Sequence, residues 1–550
     1  MFTITTSLGK YQSQVDTTLT SLSTNNIASR IWAHDHTVWA DTPDEITNRL
    51  GWLHCPENMS SEVADLASFA AEIQSGNSTG EGFTDILLLG MGGSSLAPEV
   101  FSKIFGQLNP LNLHVLDSTH PGYILEYTRT LDPAHTLYVV STKSGGTVET
   151  LSFFKHFFNH AVEKLGLEAA RQHFIAITDP GSGLETLMRG LRIRRIFLND
   201  PNIGGRYSAL SHFGLAPAAL LGIHLPTLLS RASETAVACQ KPGPDNPGLV
   251  LGAILGELAK AGRNKVTFVT SLTLESFGDW VEQLIAESTG KIGTGILPVV
   301  GESLAAPATY GKDRLFVSLT LPGEPTHDLS ALQQVGHPTV SITLNDRYDL
   351  GGQYFLWEFA TAVAGHLLAI QPFDQPNVEA AKILARKMVA EYKEKGQLPK
   401  GETTPLTADA LVRFLSQAQS GDYFSLQAYV YPTRETASAL QTLRHKLRDR
   451  TQLATTLGFG PRFLHSTGQL HKGDAGNGLF IQFTSDNSED VPIPDEAEKP
   501  DSSLTFGTLV RAQALGDYQA LLTATPPRRA IHFHLGADVV EGLEQLIFGV

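Results

Sequence analysis

Two strand–loop–helix patterns, at residues 85–101 and 136–154, constrain the fold of this chain more than any other feature of its sequence. In each, a short uninterrupted apolar run (DILLLG, TLYVVS) leads into a loop of glycines and hydroxyl residues, and a helical pattern follows. Such a run is typical of a buried parallel strand, and the helix N-terminus offers unpaired N–H groups and a partial positive charge to an anion. The sequence therefore predicts that a phosphate or a phosphosugar binds at these loops. The candidate contacts are the glycines that let the backbone approach (Gly92, Gly93, Gly145, Gly146) and the donors beside them (Ser94, Thr142, Lys143, Ser144, Thr147).

A dinucleotide site is the main alternative for the first loop. Gly90, Gly92 and Asp117 stand near the positions that a dinucleotide fingerprint needs, but Ser95 occupies its third glycine position. The Walker phosphate loop needs Gly-Lys-Ser/Thr after a spaced glycine, and the sequence contains no such run. Plain structural turns would explain either loop alone. Two loops with similarly placed hydroxyls favour the phosphate interpretation.

Length and charge limit the classes of protein. A chain of 550 residues is too long for one core, so we expect about three or four domains. A net charge of −15 argues against nucleic acid or an anionic membrane as a partner, so an anion site needs cations concentrated locally. With two cysteines and no secretory or membrane-spanning pattern, we expect a reduced, cytoplasmic compartment. The candidate cations are Lys143, Arg206, Lys291 and Lys382.

Strand and helix patterns divide the chain into five stretches. Residues 1–82 have a helical pattern, 83–230 and 231–347 are two α/β units, 348–396 are two helices, and 397–550 are a mixed C-terminal region. Strands that alternate with helices predict parallel sheets with helices on both faces. Two such units in series predict a duplicated α/β fold with a ligand between them.

Five segments, in this order along the chain, resemble the glucose-6-phosphate isomerase family, whose members are built from two sugar-isomerase (SIS) domains. They are GMGGSSLAP (90–98), STKSGGTVET (141–150), GGRYSALS (204–211), EQLIAESTGK (282–291) and PFDQPNVEAAK (372–382). The resemblance implies two flavodoxin-like parallel-sheet domains and interconversion of glucose 6-phosphate and fructose 6-phosphate, with neither cofactor nor metal. It also implies phosphate or substrate contacts at Gly93, Ser94, Thr142, Lys143, Ser144, Thr147, Gln283 and Gln375, and catalytic roles for Arg206, Glu287 and Lys382.

The ring-opening histidine is where the chain departs from this family. Members usually carry it in a GTNGQH segment ahead of the C-terminal signature, and this chain has no such segment there. The segments RIWAHDHTVW (30–39) and LHSTGQLHKG (464–473) are most similar in sequence to the isomerase half of bacterial transaldolase–isomerase fusion proteins. HSTGQLHKG offers His465 and His471 instead, both after Lys382. In dimeric members the neighbouring subunit supplies the histidine, so we expect either a homodimer or a histidine supplied within one chain by the C-terminal region.

The isomerisation that the resemblance implies needs only a few catalytic side chains. A carboxylate can move the proton between C2 and C1 of an open-chain sugar, a fixed cation can stabilise the enediolate, and a lysine with a histidine can open the ring. Helical periodicity places Gln283 and Glu287 on one face of a helix. The plain alternatives are a solvated glutamate, a structural ion pair for Arg206 and a helical ion pair between Glu379 and Lys382. Two other functions stay open: a non-catalytic SIS protein that binds sugar phosphates, and an isomerase that also accepts mannose 6-phosphate.

Overall fold

A computed structural model of the chain describes residues 2–76, 82–325 and 327–549. The N-terminal segment contains β1 (Thr3–Ser7), α1 (Gln12–Thr24), α2 (Ile27–Trp32) and α3 (Cys55–Gln74). The three helices agree with the predicted helical pattern, and each buries an apolar side chain such as Leu19, Ile31 or Leu66. The strand is a difference from the prediction. It pairs antiparallel with the edge of the second sheet, and its TITTS run is too short and polar to stand out in the sequence.

The first α/β unit is a parallel sheet with helices on its faces, as predicted. It comprises β2 (Asp85–Gly90), α4 (Leu96–Phe105), β3 (Asn112–Leu116), α5 (Pro121–Thr130), β4 (Thr136–Ser141), α6 (Val148–Leu165), α7 (Leu167–Gln172), β5 (Phe174–Thr178), α8 (Gly183–Leu191), β6 (Arg195–Leu198) and α9 (His212–Leu220). The strand order is β3-β2-β4-β5-β6, and all pairs are parallel. Because β2 and β4 are neighbours, with Gly90 opposite Ser141, the two predicted phosphate loops leave the same sheet edge side by side.

The second unit repeats this architecture. It comprises α10 (Leu225–Ala238), α11 (Pro247–Lys260), β7 (Lys265–Thr270), α12 (Phe277–Thr289), β8 (Leu297–Val299), β9 (Arg314–Thr320), α13 (Ser330–Gln334), β10 (Thr339–Thr343) and α14 (Asp349–Leu367). The sheet order is β1-β10-β9-β7-β8, parallel except for β1. Helix α14 packs against α10 and α11 and is buried from Asp349 to Gly365. Even so, no helix among the described residues has both the length and the apolar character needed to cross a membrane.

Helix α15 (Val378–Lys395) is the second of the two helices predicted for residues 348–396. The region after it, which the sequence patterns described only as mixed, is a third α/β unit. Its elements are α16 (Ala408–Leu415), β11 (Tyr423–Tyr429), α17 (Arg434–Thr451), β12 (Ala454–Phe459), α18 (Gly468–Gly473), β13 (Gly478–Thr484), β14 (Pro492–Ile493), β15 (Leu504–Thr505), α19 (Phe506–Thr523), β16 (Arg529–His534) and α20 (Val539–Ile547). Four of its strands form a parallel sheet in the order β12-β11-β13-β16. The segment HSTGQLHKG follows β12: His465 ends a short turn and contacts Glu149 of the first unit, whereas the second half of the segment forms α18.

Candidate active site

A cleft of about 890 Å³ lies at the carboxyl edge of the first sheet. Its walls include the loops after β2 and β4, residues 204–206, the second half of α12 and the segment 371–376. Residues between 40 and 49 of the N-terminal segment also line it, as does His465, which ends a short turn (Arg462–His465) after β12. Most residues predicted from the sequence line this cleft: Gly93, Ser94, Thr142, Lys143, Ser144, Thr147, Arg206, Gln283, Glu287, Gln375 and His465. Lys382 and His471 lie elsewhere.

The loop after β4 ends at the N-terminus of α6. Thr147 is the N-cap residue, and its hydroxyl lies 2.9 Å from that of Thr142 and does not cap the helix. Gly145 has φ of +71°, and a Cβ there would lie 2.5 Å from the backbone nitrogen of Leu184, so only glycine fits. Ser144 is exposed to the solvent. The uncapped N–H groups and these hydroxyls make the loop a suitable place for a phosphate.

Two of the predicted cations are already paired. The Lys143 ammonium group contacts the Asp179 carboxylate and donates to the carbonyl of Pro201 at 3.0 Å. The Lys291 ammonium group donates to the carbonyl (2.7 Å) and the carboxylate (2.6 Å) of Asp374. Burial lowers the pKa of Lys291 to about 8, although the Asp374 carboxylate opposes this shift. The ammonium group of Lys291 therefore holds the 371–376 segment in place.

The loop after β2 brings two distant segments together through its glycines. A Cβ on Gly93 would lie 2.0 Å from the carbonyl oxygen of Gly205, so the GMGGSS and GGRYS motifs touch backbone to backbone. Gly92 has φ of +54°, and a Cβ there would lie 2.7 Å from the carbonyl oxygen of His465. Ser94 follows directly and is 8% exposed. This close packing aligns three motifs along one wall of the cleft.

Glu287 is the buried carboxylate of the cleft. It lies in the last turns of α12, and its side chain is 5% exposed. Its Oε2 atom accepts a hydrogen bond from Gln283 Nε2 at 3.2 Å and lies 3.6 Å from Arg206 Nη1. Burial raises the pKa of Glu287, and the nearby Arg206 guanidinium and Gln283 amide offset part of that effect. A carboxylate with a raised pKa is suited to take and return a proton near neutral pH.

Arg206 is buried and joins the first unit to the second. Its Nε donates to the Ser288 hydroxyl at 2.8 Å, and its Nη2 donates to the carbonyls of Pro372 (2.5 Å) and Asp374 (3.2 Å). These bonds leave Nη1 directed toward Glu287. A guanidinium fixed in this way can stabilise negative charge that develops beside Glu287.

His465 reaches the cleft from the third unit, within the same chain. Its Nε2 lies 3.0 Å from Glu149 Oε1, an atom that also accepts a hydrogen bond from Gln513 Nε2 at 2.6 Å. Burial alone would raise the pKa of Glu149, but the charge and hydrogen bond of His465, a backbone hydrogen bond and the charge of Lys382 together lower that pKa. Glu149 is not among the residues predicted from the sequence. Its position in the first turn of α6 was visible in the sequence, but its burial and its contact with His465 were not.

Lys382 lies beside the cleft rather than in it. It is exposed on α15 and lines a second cavity of about 440 Å³ that shares His465 and part of the phosphate loop with the cleft. Its positive charge nevertheless acts on two carboxylates of the site. It contributes to the lowered pKa of Glu149 and opposes the rise that burial causes in the pKa of Glu287. The plain helical ion pair considered for Lys382 is not formed, because Glu379 pairs with Arg386 instead.

His471 is in the interior of the third unit. It is 1% exposed, its ring packs near Phe463 and Phe480, and its Nδ1 lies 3.2 Å from Gln427 Nε2. Burial lowers its pKa well below the usual range for histidine. Of the two predicted histidines, His465 is therefore the one placed to meet a ligand in the cleft.

The dinucleotide interpretation finds little support in this arrangement. Asp117, which would have to contact a ribose, is paired with Arg462 at 3.0 Å in a separate cavity of about 600 Å³. Among the residues that the structure describes, no group of His, Cys, Asp and Glu side chains is arranged to hold a metal ion. The described side chains of the cleft suit an anionic ligand that reacts by proton transfer.

Sequence comparisons agree with the geometry. A model of the phosphoglucose isomerase family matches residues 54–312. A glucose-6-phosphate isomerase of Thermus thermophilus is 31% identical over 394 residues, which are 62% of this chain and 90% of that protein. The enzyme of the same name from Carboxydothermus hydrogenoformans is 33% identical over 394 residues, with 60% of this chain and 83% of that protein covered.

Solved structures share the fold. A hypothetical protein of Thermus thermophilus superposes with a TM-score of 0.62 at 24% identity, covering 70% of this chain and 100% of that one. A glucose-6-phosphate isomerase from Chlamydia trachomatis superposes with a TM-score of 0.52 at 19% identity, covering 71% of this chain and 81% of that one. The resemblance seen in the five sequence motifs is thereby confirmed. The chain belongs to the glucose-6-phosphate isomerase family.

Proposed function

We propose that this protein interconverts glucose 6-phosphate and fructose 6-phosphate by ring opening followed by proton transfer through a cis-enediol. The names of the related proteins support this substrate pair. The observation that carries the proposal is the meeting, in one cleft, of the buried Glu287 carboxylate, the fixed Arg206 guanidinium, His465 and the uncapped N-terminus of α6.

The phosphate binds at the start of α6. The first turn of this helix and the hydroxyls of Ser144 and Thr147 lie on the same side of the cleft, and the helix dipole favours a dianion there. Ser94 adds a donor from the neighbouring loop. Because Lys143 is engaged with Asp179, backbone and hydroxyl donors carry most of the binding.

His465 opens the sugar ring, with Lys382 nearby. The reaction needs an acid at the ring oxygen and a base at the anomeric hydroxyl, and an imidazole can serve in either role near neutral pH. Glu149 holds the Nε2 atom of His465, so Nδ1 is the ring nitrogen that exchanges a proton with the sugar. Lys382 supplies positive charge on the same side of the cleft.

Glu287 then moves the proton between C2 and C1. It abstracts a proton from C2 of the open aldose, the enediolate forms, and the same carboxyl group returns the proton to C1. Arg206 lies 3.6 Å from Glu287 and so stabilises the negative charge on the enediolate oxygens. This division of roles is consistent with the raised pKa of Glu287.

A protein that only binds sugar phosphates would not need this constellation. Burying Glu287 and Arg206 costs desolvation free energy that the attraction between the two charges does not necessarily repay, so stability alone does not explain the pair. A binding protein could satisfy the phosphate with the α6 loop alone. The buried pair therefore favours catalysis over a purely regulatory role.

A coupled assay tests the proposal. Purified protein is supplied with fructose 6-phosphate, and glucose 6-phosphate is detected through NADPH formed by glucose-6-phosphate dehydrogenase. We expect steady turnover in the parent protein and its loss in Glu287→Gln. A folded parent protein that forms no glucose 6-phosphate would refute the proposed function. A second arm with mannose 6-phosphate measures how strictly the C2 hydroxyl is recognised.

A further inference from the structure

A buried chain of hydrogen bonds links the third unit to the first behind His465. The Thr119 hydroxyl donates to Gln513 Oε1 at 2.6 Å, and Gln513 Nε2 donates to Glu149 Oε1 at 2.6 Å. The same oxygen of Glu149 lies 3.0 Å from His465 Nε2. Thr119 and Glu149 belong to the first unit, whereas Gln513 and His465 belong to the third. The chain thus crosses the boundary between the units three times.

The polarity of this chain follows from the chemistry of its members. An ionised carboxylate only accepts hydrogen bonds, so the Gln513 amide must direct its NH₂ group toward Glu149. Its oxygen is then left for the Thr119 hydroxyl, and His465 must carry its proton on Nε2. Among the described residues, His465 Nδ1 has no protein hydrogen-bond partner, and it is the ring nitrogen left for a ligand in the cleft.

Gln513 is well placed to keep Glu149 ionised and oriented toward His465. Thr119, Glu149 and Gln513 are each no more than 4% exposed, and a buried carboxylate that loses a donor is strongly affected. The other charged or titratable groups that act on Glu149 are His465 and Lys382, while Tyr429 lies close enough for the Glu149 charge to act on it. Gln513 is the neutral donor in this group, and it stabilises the ionised carboxylate without adding charge.

We propose that Gln513 is a positioning residue for ring opening: it holds Glu149 so that Glu149 fixes the orientation and the Nε2-protonated tautomer of His465. This inference rests on the proposed function, in which His465 opens the sugar ring. Gln513 does not line the cleft but bonds to Glu149 behind it, so we expect its effect to pass through Glu149.

Substitution of Gln513 by methionine tests this inference. Gln513→Met keeps the length of the side chain but removes both polar atoms. The matched control is Gln482→Met, since Gln482 is an equally buried glutamine of the third unit that donates to the carbonyl of Ala514 at 3.1 Å. Two substrates separate the steps. Fructose 6-phosphate is largely cyclic, whereas 5-deoxyfructose 6-phosphate lacks the ring-forming hydroxyl and stays open.

In Gln513→Met we expect kcat/KM for fructose 6-phosphate to fall by about tenfold or more, the scale reported for losing a partner that orients a histidine. The acidic limb of its pH profile should move to higher pH, because Glu149 loses a donor that keeps it ionised. Exchange of the C1 protons of 5-deoxyfructose 6-phosphate with D₂O should change by less than about twofold, since that step depends on Glu287. Gln482→Met should match the parent on both substrates.

The inference fails if Gln513→Met resembles Gln482→Met on the cyclic substrate. It also fails if both substrates lose activity in parallel, because that would indicate a general structural role. A readout without turnover separates these outcomes from a failure of the proposed function. In protein labelled with ¹⁵N-histidine, the His465 signals, identified by their loss in His465→Ala, should report an Nε2-protonated ring in the parent and a mixture of tautomers in Gln513→Met. Unchanged signals would overturn the inference even if the parent protein proved inactive.

Discussion

Replacement of Gly93 by alanine is a severe test of how the cleft is built. A Cβ at this position would lie 2.0 Å from the carbonyl oxygen and 2.3 Å from the carbonyl carbon of Gly205. Both are backbone atoms, so no side-chain rotation can relieve the clash. To restore the 3.4 Å at which ordinary contact begins, the two backbones must separate by about 1.4 Å.

This separation of the backbones would displace Arg206, the residue after Gly205. Arg206 Nη1 lies 3.6 Å from Glu287, and a misplacement of about 1 Å in a catalytic arrangement can cost about 100-fold in rate. We therefore expect kcat of Gly93→Ala to fall by about 100-fold. Overpacking of this kind also costs about 1–3 kcal/mol of stability, a loss that most folded domains survive.

Gly190→Ala is the matched control. Gly190 lies in α8 of the same unit, outside both loops, has no positive φ, and a Cβ there would meet nothing within 4 Å. The coupled assay at saturating fructose 6-phosphate should give a kcat near that of the parent for Gly190→Ala, with thermal unfolding measured for both variants. If folded Gly93→Ala turned over as fast as Gly190→Ala, the argument that the two motifs position Arg206 would be wrong.

Three further outcomes follow from the site. Glu287→Gln should lower kcat by about 100-fold or more. The control is Glu282→Gln in the same helix: Glu282 lines a different cavity and has a pKa raised by burial to about 8, so this variant should keep most of the activity. Replacing both Ser144 and Thr147 by alanine should raise KM about tenfold or more through lost hydrogen bonds to a charged group, with a smaller change in kcat, and inorganic phosphate should compete with substrate in the parent; unaltered KM would argue against this phosphate site. An equal mixture of Glu287→Gln and His465→Ala proteins should stay inactive, since one chain carries both groups; recovery of activity on mixing would show that two chains share a site.

Local patterns were enough to predict the central strands of the first two sheets, but not the edge strand β1. The apolar runs that became β2 and β4 are continuous because both faces of these strands are covered. The spacing of Gln283 and Glu287 placed them on one helical face, and the structure joins them by a hydrogen bond. These features depend on neighbours a few residues apart, which is the range that periodicity reports.

The third sheet and the histidine could not be predicted in the same way. Strands β11 and β13 bury Gln427 and Gln482, which interrupt the apolar runs and hide the strand pattern. The choice between His465 and His471 depends on which one the fold turns toward Glu149, a residue more than three hundred positions earlier in the chain. Such pairings are set by the packing of the third unit on the first, and no local signal encodes them.

The most direct test of the central claim follows the proton itself. Glucose 6-phosphate carrying deuterium at C2 is incubated with the protein in ordinary water, and the fructose 6-phosphate formed is examined by NMR. Transfer by Glu287 through an enediol predicts ketose with part of the deuterium at C1 and part lost to the solvent, and no such product from Glu287→Gln. Absence of the ketose in the parent, or quantitative transfer of deuterium that persists in Glu287→Gln, would contradict the account.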